Sequence, residues 1–305
     1  EGGITTITYS SATFGEEGSI TDRNGNTTSF TRDSNGNITR ITNPDASYRQ
    51  FTYDANNNVK SETDEAGKKT FYVYDDSMLK LLKEARPLNG TDVYVEGTSD
   101  PALFAITTYT YYADNDPLSG CSTAKGLLKS ITDPMGGVTE YTYNTNGYIA
   151  TEKNPDGKIT TRQYNAYGQV TQVTTPKGYM TTNTYDKNDR LVKSVQHGGE
   201  TTRILYDNEG RKVKEVTPNL YNPSYDGLNG SPPTQTYSAD AGYRYTYYPH
   251  GKVQTAKDPI GNTTAYEYDK YGNLSKETKP NGSEYLYEYD GIHRLKKVSF
   301  KESSG

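Results

Sequence analysis

A repeat of 21 residues is the feature that most constrains how this chain folds. A tyrosine followed by an aspartate, or by a close substitute, recurs along the sequence, and seven of the intervals between successive pairs are 21 residues long. A fixed step of this size indicates one small unit used many times rather than an irregular globular core. The second residues of the eleven pairs are Asp33, Asp54, Asp75, Tyr112, Asn144, Asn165, Asp186, Asp207, Tyr248, Asp269 and Asp290.

Tyrosine occupies the first position of ten pairs, and Arg32 is the exception. We interpret these pairs as a structural signature of the repeat and not as a catalytic set. The clearest copies are Tyr53-Asp54, Tyr74-Asp75, Tyr143-Asn144, Tyr164-Asn165, Tyr185-Asp186, Tyr206-Asp207, Tyr268-Asp269 and Tyr289-Asp290.

Each repeat is predicted to be strand, turn, strand, turn. Threonine and tyrosine alternate before the pair, as in residues 139–144, which is typical of a β-strand. Three residues after the pair comes Gly147 or its equivalent, a residue suited to positive φ. A return strand follows, and a second turn of the type Pro134-Met135-Gly136 ends the unit. Met78 and His293 stand where glycine is expected and predict altered turns.

Apolar residues of the return strand are spaced i, i+3, as in Ile38 and Ile41 or Val170 and Val173. Simple alternation would place them on opposite faces, so the spacing predicts a β-bulge or strong twist. We therefore predict an all-β fold in which tandem 21-residue hairpins form a curved antiparallel sheet.

Tyrosine must supply much of the order. The chain has 30 tyrosines, 6 phenylalanines and no tryptophan, and hydrophobic residues make up only 31% of it. Tyrosines in the same register of neighbouring repeats, such as Tyr266 and Tyr287, are expected to form rows along the sheet.

Charge and cysteine content exclude several classes of protein. The net charge is −5 with basic residues spread along the chain, so nucleic acid is not an expected partner. Apolar stretches are too short for a membrane span, and Cys121 is the single cysteine.

Three intervals are longer than 21 residues and predict loop insertions at about 84–106, 113–125 and 218–242. The repeat resumes in phase after each one, so a single domain with repeats from about 4 to 300 is expected. Residues 78–86 fit a short helix or a strand, and we favour the strand because a return strand is due there.

These motifs together resemble the YD-repeat, or RHS-repeat, family, which includes bacterial wall-associated proteins, polymorphic toxins, toxin-complex cocoons and teneurins. The resemblance implies hairpins that spiral into a hollow shell around a C-terminal effector. The elements that close such a shell by self-cleavage have no match here. We therefore interpret the chain, which begins at Glu1, as a wall segment of a larger exported or cell-surface bacterial protein.

Catalysis is not expected, and no metal or other cofactor is predicted. The recurring aspartates are interpreted as turn caps, and only residues 33–37 faintly resemble a calcium loop. His197, His250 and His293 lie in or beside turns without a metal-binding spacing. The expected role is structural, with the rest of the shell and its effector as partners.

Two other expectations follow from tyrosine content and topology. A tyrosine-rich surface also suits sugar rings, so a carbohydrate-binding module of a cell-wall or adhesion protein is the alternative function. Open strand edges predict self-association of copies.

Overall fold

The structure, a computed structural model, describes residues 6–9, 17–22, 24–75, 77, 79–113, 116, 120–121, 124–227, 237 and 241–303. These residues divide into two compact units, one ending at Thr160 and the other beginning at Thr161. Each unit is a run of short antiparallel strands. The all-β class and the hairpin repeat are confirmed. Coiling of the sheet into a spiral remains a prediction.

In the first unit each described strand pairs antiparallel with its neighbours in the chain. One 3-10 turn, Pro101–Leu103, precedes the ninth strand. The strands are β1 (Thr6–Tyr9), β2 (Glu17–Thr21), β3 (Thr27–Arg32), β4 (Ile38–Thr42), β5 (Tyr48–Tyr53), β6 (Val59–Thr63), β7 (Lys69–Tyr74), β8 (Leu81–Pro87), β9 (Phe104–Tyr111), β10 (Leu128–Thr132), β11 (Val138–Tyr143) and β12 (Ile149–Lys153).

The second unit repeats the same pattern of pairing. Its first strand, β13, crosses the boundary between the units. The strands are β13 (Ile159–Tyr164), β14 (Val170–Thr174), β15 (Met180–Tyr185), β16 (Leu191–Val195), β17 (Thr201–Tyr206), β18 (Lys212–Val216), β19 (Tyr243–Tyr247), β20 (Val253–Lys257), β21 (Thr263–Tyr268), β22 (Leu274–Thr278), β23 (Glu284–Tyr289) and β24 (Leu295–Lys301). Two 3-10 turns, Pro218–Leu220 and Pro223–Tyr225, follow β18.

The insertions lie between strands. The strand prediction for residues 78–86 is confirmed by β8, whereas Met78 lies outside the described residues. The first insertion is shorter than the predicted 84–106, because β8 and β9 remain paired as far as Pro87 opposite Phe104. The third insertion lies between the end of β18 at Val216 and the start of β19 at Tyr243.

A bulge recurs in the return strand of every tyrosine hairpin. Tyr143 lies opposite Ile149, but its neighbour Thr142 lies opposite Thr151, which leaves Ala150 without a partner. The predicted bulge is therefore confirmed, and it explains the i, i+3 spacing. The same shift leaves out Thr39, Lys60, Leu82, Lys129, Thr171, Val192, Val213, Gln254, Ser275 and Lys296.

The two faces of the sheet differ in chemistry. Because side chains alternate along a strand, Tyr141 and Tyr143 share one face, here called the tyrosine face. Thr142 and Glu140 lie on the other, the threonine face. There Thr142 bonds the Thr151 hydroxyl at 2.6 Å, and Glu140 pairs with Lys153 at 2.8 Å. Thr–Ser or Thr–Thr pairs recur at this position on other hairpins.

Burial is greatest where insertions fold over the sheet. On the threonine face Tyr94 of the first insertion packs against the buried residues Phe71, Ala85 and Phe104. A second buried cluster on the tyrosine face holds Tyr112, Cys121, Ala124 and Tyr143. The insertions therefore supply the dry cores that a single sheet lacks. The described residues contain no apolar helix of membrane-spanning length.

Candidate functional site: the joint between successive repeats

The aspartate of each pair caps the hairpin turn. Oδ1 of Asp33 accepts the backbone N–H groups of Asn35 and Asn37, both at 2.9 Å. The main chain closes the same turn, since Asp33 N–H donates to the Asn37 carbonyl and Gly36 N–H to the Asp33 carbonyl. This is a type I turn followed by a left-handed residue, a common three-residue hairpin. Equivalent caps are made by Asp54, Asn144, Asn165, Asp186, Asp207, Asp269 and Asp290.

Two turns were predicted to differ from the rest. The turn after Asp75 is indeed one residue longer, because Asp75 N–H donates to the Lys80 carbonyl and Leu79 takes the positive φ of +53°. The prediction was wrong at His293. That residue adopts a φ of +65° and closes an ordinary turn, as glycine does elsewhere.

The capping carboxylates are held in their ionised form. Burial alone would raise the pKa of Asp186, but hydrogen bonds from Arg190 and from backbone amides lower it. The bond from Arg294 lowers the pKa of Asp290 to about 2. A carboxylate that stays charged and saturated with donors is suited to fixing a turn and not to proton transfer.

Metal binding finds no support within the described part of the chain, where no cluster of three or more potential ligands occurs. Both oxygens of Asp33, in the segment that resembles a calcium loop, accept hydrogen bonds from Asn35 and Asn37.

In six of the pairs among the described residues, the tyrosine hydroxyl joins its hairpin to the preceding one. The ladder between β10 and β11 starts at Ser130 opposite Glu140, so Leu128 lies beyond it, beside the bulge at Lys129. There the Tyr143 hydroxyl donates to the Leu128 carbonyl at 2.7 Å. The hydroxyl thus replaces the ladder bond that the bulge interrupts, and the backbone acceptor is satisfied.

This joint recurs with the same geometry in both units. The acceptor is the carbonyl of the first residue of the preceding return strand, and in most copies it lies fifteen residues before the tyrosine. The bonds are Tyr53 to Ile38 (2.6 Å), Tyr111 to Leu81 (2.8 Å), Tyr185 to Val170 (2.9 Å), Tyr206 to Leu191 (3.1 Å) and Tyr247 to Lys212 (2.6 Å).

The tyrosine rings of the joints are half-buried, apart from that of Tyr143, which is buried. Burial raises the pKa of Tyr53, Tyr111, Tyr143, Tyr206 and Tyr247. Each hydroxyl therefore remains a neutral donor through the physiological range.

The predicted tyrosine rows are interrupted by aliphatic side chains. Equivalent tyrosines are two strands apart, which is about 10 Å. Val170 lies opposite Tyr164, and its carbonyl accepts the hydrogen bond from the Tyr185 hydroxyl, so Val170 lies between the rings of these two tyrosines. Ring contacts form where a tyrosine replaces the aspartate: Tyr112 contacts Tyr143 at 6.1 Å and Tyr248 contacts Tyr268 at 6.2 Å.

Two protein-family models match the chain. The model described as RHS repeat matches residues 19–48 and 247–284, and the model described as teneurin YD-shell matches residues 103–229. These matches confirm the resemblance to the YD-repeat, or RHS-repeat, family. Among curated proteins, none is significantly similar in sequence.

Solved toxin-complex structures share the fold. TcdB2-TccC3-TEV is similar over 96% of this chain and 15% of its own, with a TM-score of 0.71 and 16% identity. TcdB2-TccC3-Cdc42 is similar over 97% and 17%, with a TM-score of 0.61 and 16% identity. The Tc holotoxin pore of Photorhabdus luminescens gives the same values as the latter. The chain thus spans only 15–17% of these chains, and at 16% identity the likeness shows the fold alone.

Proposed function

We propose that this chain, a YD-repeat sheet by sequence and by fold, is a structural wall segment of a larger shell protein. The observation that carries the proposal is the recurring joint, in which a tyrosine hydroxyl bonds the main chain of the preceding hairpin. Such nearest-neighbour bonds allow a sheet to extend by addition of units, as in other repeat proteins.

The wall is proposed to enclose or carry another polypeptide of the same parent, exported or at the cell surface. The likeness in fold to TcdB2-TccC3 and to a Tc holotoxin pore supports this reading. The repeated carboxylates are engaged as turn caps with lowered pKa, which supports a role without catalysis.

Protease protection in the full-length parent tests enclosure. We expect the polypeptide that accompanies the repeats to resist a broad-specificity protease while the sheet is folded, and to be cut once denaturant unfolds the sheet. Cleavage at the rate of the isolated polypeptide, with an intact β-type circular dichroism spectrum, would contradict the proposal.

Carbohydrate binding is the second candidate, favoured by a polar cleft of about 750 Å³ in the first unit. Its lining includes the Tyr72 ring with Glu62, Thr70, Arg86 and Asn89 around it. A sugar can stack on such a ring while its hydroxyl groups bond the polar rim. Glycan-array binding that Tyr72→Ala abolishes and Tyr167→Ala retains would support this function, and absence of binding would exclude it from this cleft.

Self-association is proposed through β24, which is paired on one side with β23. Its apolar side chains Leu295, Val298 and Phe300 are 55%, 49% and 55% exposed. Exposed edge strands of this kind template pairing between chains. Light scattering should give a mass that rises with concentration and a smaller rise for Phe300→Lys, and a constant monomer mass would oppose the proposal.

A further inference from the structure

Two positive side chains lie side by side on the threonine face of the second unit. Lys193 of β16 is directly opposite Arg203 of β17 in the ladder. The side chain of Arg203 is 0% exposed and that of Lys193 is 24% exposed. Like charges at directly opposite positions destabilise a sheet, and a buried guanidinium is especially costly without a counter-charge. This pair of strands therefore requires an anion.

Asp226 of the third insertion supplies that anion. Its Oδ1 accepts from Arg203 Nε at 2.8 Å, and its Oδ2 accepts from Lys193 Nζ at 3.0 Å and from the Tyr221 hydroxyl at 2.8 Å. The carboxylate is 5% exposed. Although burial alone would raise the pKa of Asp226, the bonds from Arg203, Tyr221 and Lys193 lower it. The group is thus a buried, ionised carboxylate that accepts from three side chains of the described residues.

The surroundings form a built pocket rather than a chance contact. Val192 and Val216 are fully buried beside Arg203, and the ring of Tyr237 lies 6.0 Å from that of Tyr221. Arg203 Nη1 donates to the Val192 carbonyl, while its Nη2 is buried with no partner among the described residues. The guanidinium therefore has donor capacity beyond the bond to Asp226.

We infer that Lys193 and Arg203 form a carboxylate-binding site on the threonine face, which the third insertion fills with its own Asp226. The site binds a carboxylate by a guanidinium and an ammonium that the sheet holds in register. The insertion is in effect an internal ligand, and the Asp226 carboxylate is the negative group by which it binds both cations. A free carboxylate of small size should occupy the site when Asp226 is removed.

Chemical rescue tests this inference directly. Asp226→Ala should unfold at a lower denaturant concentration than the unmodified chain, and sodium formate should restore the midpoint more than sodium chloride at equal ionic strength. Glu209→Ala is the matched control, since Glu209 pairs with Arg211 in the same unit but its side chain is 68% exposed. We expect formate and chloride to have equal effects on the midpoint of Glu209→Ala, and equal effects on the midpoint of the unmodified chain. Equal effects of formate and chloride on Asp226→Ala would overturn the inference.

An independent test uses the effect of Lys193→Met on stability, which should change sign between two backgrounds. This test does not depend on the space that Asp226→Ala leaves. In the unmodified chain Lys193→Met removes a bond to Asp226 and should lower the unfolding midpoint. In an Asp226→Asn background the same change removes repulsion from Arg203 and should raise it. If Asp226→Asn does not fold, adding Lys193→Met should recover soluble, folded protein. Loss of stability in both backgrounds, or no recovery, would overturn the inference.

Discussion

Removal of one tyrosine hydroxyl measures what the repeat joint contributes. Tyr143→Phe keeps the ring, its place in the buried cluster and its contact with Tyr112, but it deletes the 2.7 Å bond to the Leu128 carbonyl. A net hydrogen bond contributes about 1 kcal/mol, and a half-buried carbonyl left without a donor adds a further cost of similar size. We therefore expect Tyr143→Phe to lower the free energy of unfolding by about 1–2 kcal/mol.

Urea denaturation followed by circular dichroism is the assay, with the midpoint compared at unchanged m-value. The matched control is Tyr167→Phe, which removes a hydroxyl from a turn where the side chain is 77% exposed. We expect the control to shift the free energy by less than about 0.5 kcal/mol. Equal effects of the two substitutions, or no effect of either, would refute the assignment of the hydroxyl as a structural joint.

Three further predictions concern the turns and the titration of the repeat. Ala46 holds a φ of +68°, so Ala46→Gly should raise the free energy of unfolding by about 0.5–1 kcal/mol. Ala55→Gly, at another exposed turn, should lower the free energy of unfolding. Capping aspartates such as Asp186 and Asp290 have pKa values lowered from 3.8, to about 2 for Asp290. The stability that they contribute is complete above about pH 4 and is lost as pH falls through the folded-state pKa. Urea midpoints should therefore decline as the pH is lowered to about 2, and Asp290→Asn should make that decline less steep. Burial raises the pKa values of Tyr53, Tyr143 and Tyr206 above 10, so their contribution to stability is lost as pH rises through the folded-state pKa. Absorbance titration should show tyrosines that ionise late, and one fewer of them in Tyr143→Phe. A single uniform step near pH 10 with the sheet still folded would contradict this prediction.

The hairpins could be predicted from sequence because their determinants are local. The capping residue, the left-handed residue three positions later and the i, i+3 spacing of the return strand all lie within one 21-residue unit. The prediction of an altered turn at His293 was wrong because it assumed that this position needs glycine, asparagine or aspartate. A side chain other than glycine tolerates the left-handed region there, at a cost that the rest of the hairpin offsets.

The joint could not be predicted in the same way. Its acceptor is a backbone carbonyl, such as that of Val170 for Tyr185, and a carbonyl leaves no trace in residue type. The sequence did contain an indirect signal, the offset of fifteen residues between the tyrosine and the start of the preceding return strand, which recurs wherever no insertion intervenes. Predicting the joint required knowing that the bulge ends the hydrogen-bond ladder between neighbouring hairpins before the first residue of the return strand.

The carboxylate-binding site was missed because its members are distant in sequence and each is unremarkable alone. Lys193 and Arg203 become neighbours only when β16 and β17 are paired in register. Asp226 lies in an insertion whose path the repeat does not specify. The usable signal was that positive residues occupy two facing positions of the threonine face, where the equivalent positions of β10 and β11 hold Ser130 and Glu140.

An acceptor common to all twenty amino acids has a consequence for how such chains change over generations. The Tyr247 hydroxyl bonds the carbonyl of Lys212, although aliphatic residues provide that carbonyl in the other copies. A hairpin can accordingly be duplicated, lost or swapped by recombination without a compensating substitution next door. The number of hairpins can then change by whole modules, because the tyrosine is the only side chain that the joint itself requires.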